Sequence, residues 1–290
     1  MAFFKTLALS GAALAGVAAG TIGAQAQTPA AAPVTASAPA NEPTYADLAT
    51  LSDAADAVVH VRIRKATALK PDRAPGVAPG FVRFYVEANT LSVIAGRSAV
   101  APTVTYLVDM PLDARGKAPK LKKREFLLFA RPVPSRPGEL QLVAPAAQLA
   151  YSPMLEERVR PVLTELYAAD VKPRITGVSD ALAVPGTLTG ESETQIFLAT
   201  ETRSPASITV LRRPGRAPEW GVSWGEIIDS SARPPARDTL AWYRLACGLP
   251  AQLPTNANLS RDSEERRLAA IDYAFVRQAI GACERRITAR

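Results

Sequence analysis

This chain of 290 residues has two cysteines, one histidine, three methionines and an aromatic content of only 6%. Each scarcity excludes something. One His (His60) and two Cys (Cys247 and Cys283) cannot supply the three or four imidazole or thiolate ligands of a zinc-type centre, so no metal and no cofactor is expected. A serine-hydrolase relay in the nucleophile-elbow order needs a His downstream of the nucleophile, and His60 lies far upstream of any candidate Ser. The chain has no Ser-x-x-Lys, no H-E-x-x-H, no phosphate loop and no dinucleotide fingerprint, so no catalytic residue is assigned. Beyond residue 23 no apolar run reaches the roughly 20 residues that a membrane-spanning helix requires.

Charge is abundant. The formal net charge is +7, and arginine strongly outnumbers lysine among the 34 basic residues. Twenty-five prolines accompany a high alanine content. The first 26 residues are read as a secretory signal peptide. Lys5 provides the positive start, residues 6–23 are apolar, and Ala24-Gln25-Ala26 is a small-x-small cleavage signal. That stretch is built from Ala, Gly and Thr more than Leu or Ile, which argues against a retained anchor. The mature chain is expected in the periplasm or the medium. Residues 27–43 (QTPAAAPVTASAPANEP) hold four prolines and almost no charge or bulk, so a disordered linker is expected. In an oxidising compartment an isolated Cys pair reads as one disulfide, Cys247 to Cys283, joining two C-terminal helices.

A short helix is predicted at 45–54. Alternation of Val59, Val61 and Ile63 with His60, Arg62 and Arg64 predicts a half-buried strand with His60 on its polar, surface face. Strands follow at 81–93, with a bulge where Leu91 and Val93 change phase, and at 104–108, 125–130 (apolar core 126–129) and 140–143. The segments AADAVVHVRI, RFYVEANTLSVIAG, VTYLVD and REFLLFARPV, taken in order, resemble the OB-like barrels that recur in exported bacterial proteins of unknown function. The resemblance covers about a third of the chain and implies a barrel, without an activity. The aromatic-and-basic interleaving of nucleic-acid-binding OB folds is missing, so no nucleic acid is expected as partner.

A helix is predicted at 155–169 with Leu155, Val159, Leu163 and Leu166 inward and Pro161 as a kink or start. Further on, strands at 196–199 and 208–211 lead through Pro214-Gly215 into 219–224. Two helices close the chain, the first capped by Asp238, the second opened by Ser263 and turning Leu268, Ile271, Phe275, Ala279 and Cys283 inward. The expected fold class is α+β: a small antiparallel OB-like β-barrel (44–152) followed by a β-hairpin and helical half (153–290) with disulfide-linked helices.

Three groups of residues are candidates for function. Arg115, Lys117, Lys120, Lys122, Lys123 and Arg124 crowd one loop and suit an anionic surface; a solvated guard before a buried strand is the plainer reading. Trp220 and Trp224, spaced i, i+4, with Glu226 beside them, could form a glycan platform or share a core with Trp242. Gly221-Val222-Ser223-Trp224-Gly225 matches the nucleophile-elbow pattern but reads more simply as strand alternation. The acid pairs Asp109 with Asp113 and Glu191 with Glu193 sit in turn-like segments. The expected function is an exported, non-enzymatic envelope module. It binds or scaffolds an envelope component, an anionic surface or a glycan, and does not span the membrane after cleavage. The alternative is a cell-wall carbohydrate-binding or -processing protein using Trp220, Trp224 and Glu226.

Overall fold

In a computed structural model of the chain, the residues described are 42–226 and 232–288. The expected leader (1–26) lies outside them, as does the expected linker (27–43) apart from its last two positions.

Helix α1 (Tyr45–Ala54) forms where a capping box dictates it. The Thr44 hydroxyl accepts the Asp47 N–H at 3.1 Å, and the Asp47 carboxylate accepts the Thr44 N–H at 2.9 Å. Strands β1 (Ala57–Ala68), β2 (Phe81–Gly96), β3 (Thr103–Pro111), β4 (Glu125–Pro132), β5 (Leu140–Leu142) and β6 (Gln148–Ala150) make one antiparallel sheet. Its order is β3-β2-β1-β4-β5, and β6 pairs with β4. Leu91 and Ile94 fall where the β1–β2 register slips, which accounts for the phase change in the sequence. Inward side chains of five strands, among them Val61, Val86, Tyr106, Leu128 and Leu140, form one core.

The expected OB-like barrel, closed or partly open by the sequence pattern, is corrected to an open antiparallel sheet. Its free edges, β3 and β5, meet at a single parallel bridge between Thr105 and Glu139. A β5 of three residues is too short to extend the ladder that closure demands.

Helix α2 (Pro153–Leu166) is capped by Ser152, whose hydroxyl accepts the Leu155 N–H at 3.1 Å. Pro161 sits inside it, and the four expected inward residues are buried together with Val162. Helices α1 and α2 cover the outer face of β1 and β4 through Leu48, Leu51, Val58, Phe129, Leu155 and Val159. On the same face Tyr151, in the segment between β6 and α2, stacks on His60 and leaves it 8% exposed, against the surface position expected from alternation. Period-two patterning reports which residues share a face, not whether that face is covered.

The C-terminal half holds a four-stranded sheet in place of the expected hairpin: β7 (Ile175–Pro185), β8 (Ser192–Thr200), β9 (Ser207–Arg212) and β10 (Glu219–Ser223), in order β10-β9-β8-β7. Strand β7 escapes notice in the sequence because it carries Gly177 and two register shifts that break its alternation. Helices α3 (Leu240–Gly248) and α4 (Ser263–Ile280) pack on this sheet, and Ala46 and Ala49 of α1 join the same core.

Thr239, not Asp238, caps α3, its hydroxyl accepting the Trp242 N–H at 3.2 Å. Asp262 caps α4 by accepting the N–H groups of Glu264 and Glu265. The buried face of α4 is Ala269, Asp272, Tyr273, Val276 and Ile280, rotated from the face the sequence suggested; Ile271 is exposed. Asp272 is fully buried, accepting from Arg212 Nε at 2.6 Å and Thr194 Oγ1 at 2.5 Å. A carboxylate on the inner face hides that face from a hydrophobic pattern.

The Cys247–Cys283 disulfide is formed, with Cα atoms 5.1 Å apart. It joins α3 to the segment after α4, not helix to helix. Gly281, at φ 78°, ends α4 before Cys283 is reached. Among the described residues no helix is long and apolar enough to cross a membrane.

Candidate functional site

The loop between β3 and β4 carries six cations within ten residues. Arg115, Lys117, Lys120, Lys122, Lys123 and Arg124 are all exposed. Local chemistry fixes the loop's shape. Asp113 accepts the N–H groups of Arg115 and Lys117 at 2.9 and 2.8 Å, closing a turn. Leu121, 2% exposed, plugs into the core of the first sheet. Lys123 N–H donates to Ile63 C=O at 2.8 Å, and Ile63 N–H donates to Arg124 C=O at 2.9 Å, so the loop's end continues the β1–β4 ladder.

The loop is therefore a held projection that presents its cations outward. None of the six forms an ion pair among the described residues. The neighbouring cations Arg62, Arg64 and Lys65 on β1 each pair with an acid, Arg62 with Glu125 and the other two with a shared Glu87. The unpaired positive charge thus concentrates on the loop itself.

The tryptophans divide. Trp220 is 8% exposed and belongs to the core shared with Trp242, whose indole N–H donates to Ile280 C=O at 2.9 Å. Trp224 is half-buried against the same core, and Glu226 is exposed. Trp220 borders a depression of about 400 Å³ with Phe275, whereas Glu226 borders a separate one of about 450 Å³ with Ser179 and Phe197. The structure does not bring these three onto one depression.

The elbow-like segment is a strand end. Ser223 is the last residue of β10, and 224–226 are not helical. Gly221 is required for another reason: a Cβ there would stand 2.2 Å from the Ala232 carbonyl oxygen, because the returning chain crosses directly over it.

His60 stacks on Tyr151 with ring centroids 3.5 Å apart, and its Nε2 lies 2.8 Å from Glu125 Oε2. Glu125 also takes Arg62, first by hydrogen bonds from Arg62 and then from His60, and these hold its carboxyl below the usual range. Asp109 is tied bidentately to Arg83 at 2.7 Å, Glu191 accepts the Leu188 N–H, and Glu193 accepts from Gln195. Among the described residues no group of His, Cys, Asp and Glu could hold a metal ion.

Sequence reasoning missed Asp47. This fully buried carboxylate accepts backbone N–H groups from Thr44, Arg286, Ile287 and Thr288, together with the Thr288 hydroxyl at 2.7 Å. Burial works to raise its pKa; the hydrogen bonds from Arg286, Thr44 and Thr288 outweigh that and lower it to about 2. Asp47 thereby pins the C-terminal segment onto α1. The only sequence signal was a Thr-x-x-Asp capping box.

No protein family and no curated protein matches this chain in sequence.

Proposed function

We propose that this protein is an exported, non-enzymatic binding module that docks on an anionic, phosphate-bearing lipid surface through the loop 115–124. The observation that carries this reading is the set of six exposed cations on a rigidly anchored loop with no acidic partner. Loop cations that guard an edge strand need no fixed shape. This loop spends a buried leucine, an Asp-closed turn and two ladder hydrogen bonds on holding its shape. The separation of Trp220 from Glu226 favours the loop over the tryptophan face as the contact surface. The strand order β3-β2-β1-β4-β5 with a parallel β3–β5 contact supports kinship with OB-like exported proteins. The leader-like N-terminus supports work outside the cytoplasm, with a mature start at Gln27 that N-terminal sequencing would read directly.

Each cation held near an anionic surface is worth about 1 kcal/mol. Replacing Lys117, Lys120 and Lys122 by Gln should weaken co-sedimentation with phosphatidylglycerol vesicles by about 100-fold, leaving the melting temperature unchanged. Lys123 is left in place because its φ of 69° couples the side chain to backbone strain. Binding should also fade as salt shortens the Debye length. Equal sedimentation with neutral phosphatidylcholine vesicles refutes the proposal.

A further inference from the structure

A second cationic site lies away from the loop. Four segments far apart in sequence converge on it: α1 (Thr50, Asp53), the start of β7 (Arg174, Ile175), α3 (Tyr243, Arg244) and the C-terminal segment (Arg285). They line a depression of about 310 Å³, large enough for a small molecule.

Two of its three guanidinium groups are already committed. Arg244, 5% exposed, donates through Nη1 and Nη2 to Asp53 at 2.6 and 3.1 Å and through Nε to Lys172 C=O at 3.0 Å. Arg174 donates from Nε to the Asp53 carboxylate at 2.6 Å and from Nη2 to the Asp53 carbonyl at 2.8 Å. Its remaining Nη1 faces Glu201 at 3.7 Å.

Arg285 differs. Its Nε donates to Thr50 Oγ1 at 3.1 Å, and its terminal nitrogens meet no carboxylate among the described residues. The single Thr50 hydroxyl proton goes to Ala46 C=O at 2.7 Å. The contact of 3.1 Å between Thr50 Oγ1 and Tyr243 Oη therefore uses the Tyr243 proton. Thr50 thus holds Arg285 in place as an acceptor, and no group in the wall competes for the guanidinium fork. Three guanidinium groups face one lining carboxylate, so the depression has donors and positive charge in excess. Ile175, the Tyr243 ring and Cys247 give it an apolar side.

We infer that this depression binds a small carboxylate-bearing ligand, its oxyanion held bidentately by Arg285 and its apolar part lying against Ile175, Tyr243 and the disulfide. The planar fork of Arg matches a carboxylate in geometry as well as charge. The site exists only because the C-terminal segment is fastened: the Cys247–Cys283 bond lies two residues before Arg285, and Asp47 holds the residues just after it. It is independent of the loop proposed above, and failure of either leaves the other standing.

The test is isothermal titration calorimetry of the full chain with benzoate, acetate and inorganic phosphate. Benzoate should bind one to one and more tightly than acetate, because the apolar wall contributes only to benzoate. Arg285→Gln should weaken benzoate at least tenfold. Thr50→Val, which keeps the charge but frees the guanidinium, should weaken it severalfold. Arg285→Lys should restore part of the loss relative to Arg285→Gln, separating lost charge from lost fork. Melting curves of the unliganded variants check that each is folded. Equal benzoate affinity in Arg285→Gln and the parent, phosphate binding tighter than benzoate, or no benzoate binding at millimolar concentration would each overturn the inference.

Discussion

The first sheet keeps its ion pairs at the solvent, whereas the second also takes one into its interior. On the first, the pairs Arg62–Glu125, Arg64–Glu87, Lys65–Glu87 and Arg83–Asp109 all remain in reach of solvent. On the second, Asp272 of α4 is driven between helix and sheet with no exposure, and Arg212 and Thr194 meet it there. The cause is the layer above each. The outward face of β2 and β3 looks into water, while β7 and β8 lie beneath α4. An exposed pair gains little over its two hydrated ions, whereas a buried acid without its partner is left with an uncompensated charge. Similar residues in similar strands therefore carry different structural weight.

The largest expected effect tests that difference directly. Asp109→Ala should cost less than about 1 kcal/mol. Arg212→Ala, which leaves Asp272 buried without its cation, should cost about 3–5 kcal/mol by denaturant unfolding. Comparable losses from the two would break the comparison.

The next effect sharpens it. The disulfide closes a loop with a sequence separation of 36 in the second half alone. Replacing both cysteines by Ser should remove about 3–4 kcal/mol by chain entropy. The protection of amides in α3 and α4 against hydrogen exchange should fall more than that in β1–β3. A uniform loss would show that the two halves unfold as one unit.

The smallest concerns the seam. Asp47 has a folded pKa of about 2 against an ordinary 3.8. A depressed acid contributes stability that is complete above the unfolded pKa and is lost as pH falls through the folded one. Stability should therefore drop by about 1–2 kcal/mol between about pH 4 and pH 2. Asp47→Asn should flatten that part of the profile. An unchanged acid limb in the variant would mean that Asp47 does not pin residues 286–288.

Much of this arrangement was legible beforehand where a single local cause decides the outcome. Helix α1 falls on its predicted span because Thr44 and Asp47 make its cap. The bulges in β2 show as a change of hydrophobic phase, and the four inward residues of α2 keep their spacing. The cationic loop was visible as a run of like charges, though its rigidity was not, since Leu121 and the Ile63 ladder bonds act from elsewhere in the chain.

What the sequence determined alone is what depends on neighbours along the chain: caps, turn residues, alternation, the excess of cations, and one cysteine pair in a chain with a leader-like start. Only the tertiary structure decided which faces are covered, and with that the fate of His60, Asp47 and Asp272. It also decided that a three-residue β5 leaves the sheet open, and that Arg285 meets Thr50 across some 235 positions of sequence, with Tyr243 in the same wall. The reason is physical. Burying a polar group costs free energy unless partners satisfy it, and those partners come from segments that no local pattern can bring into view.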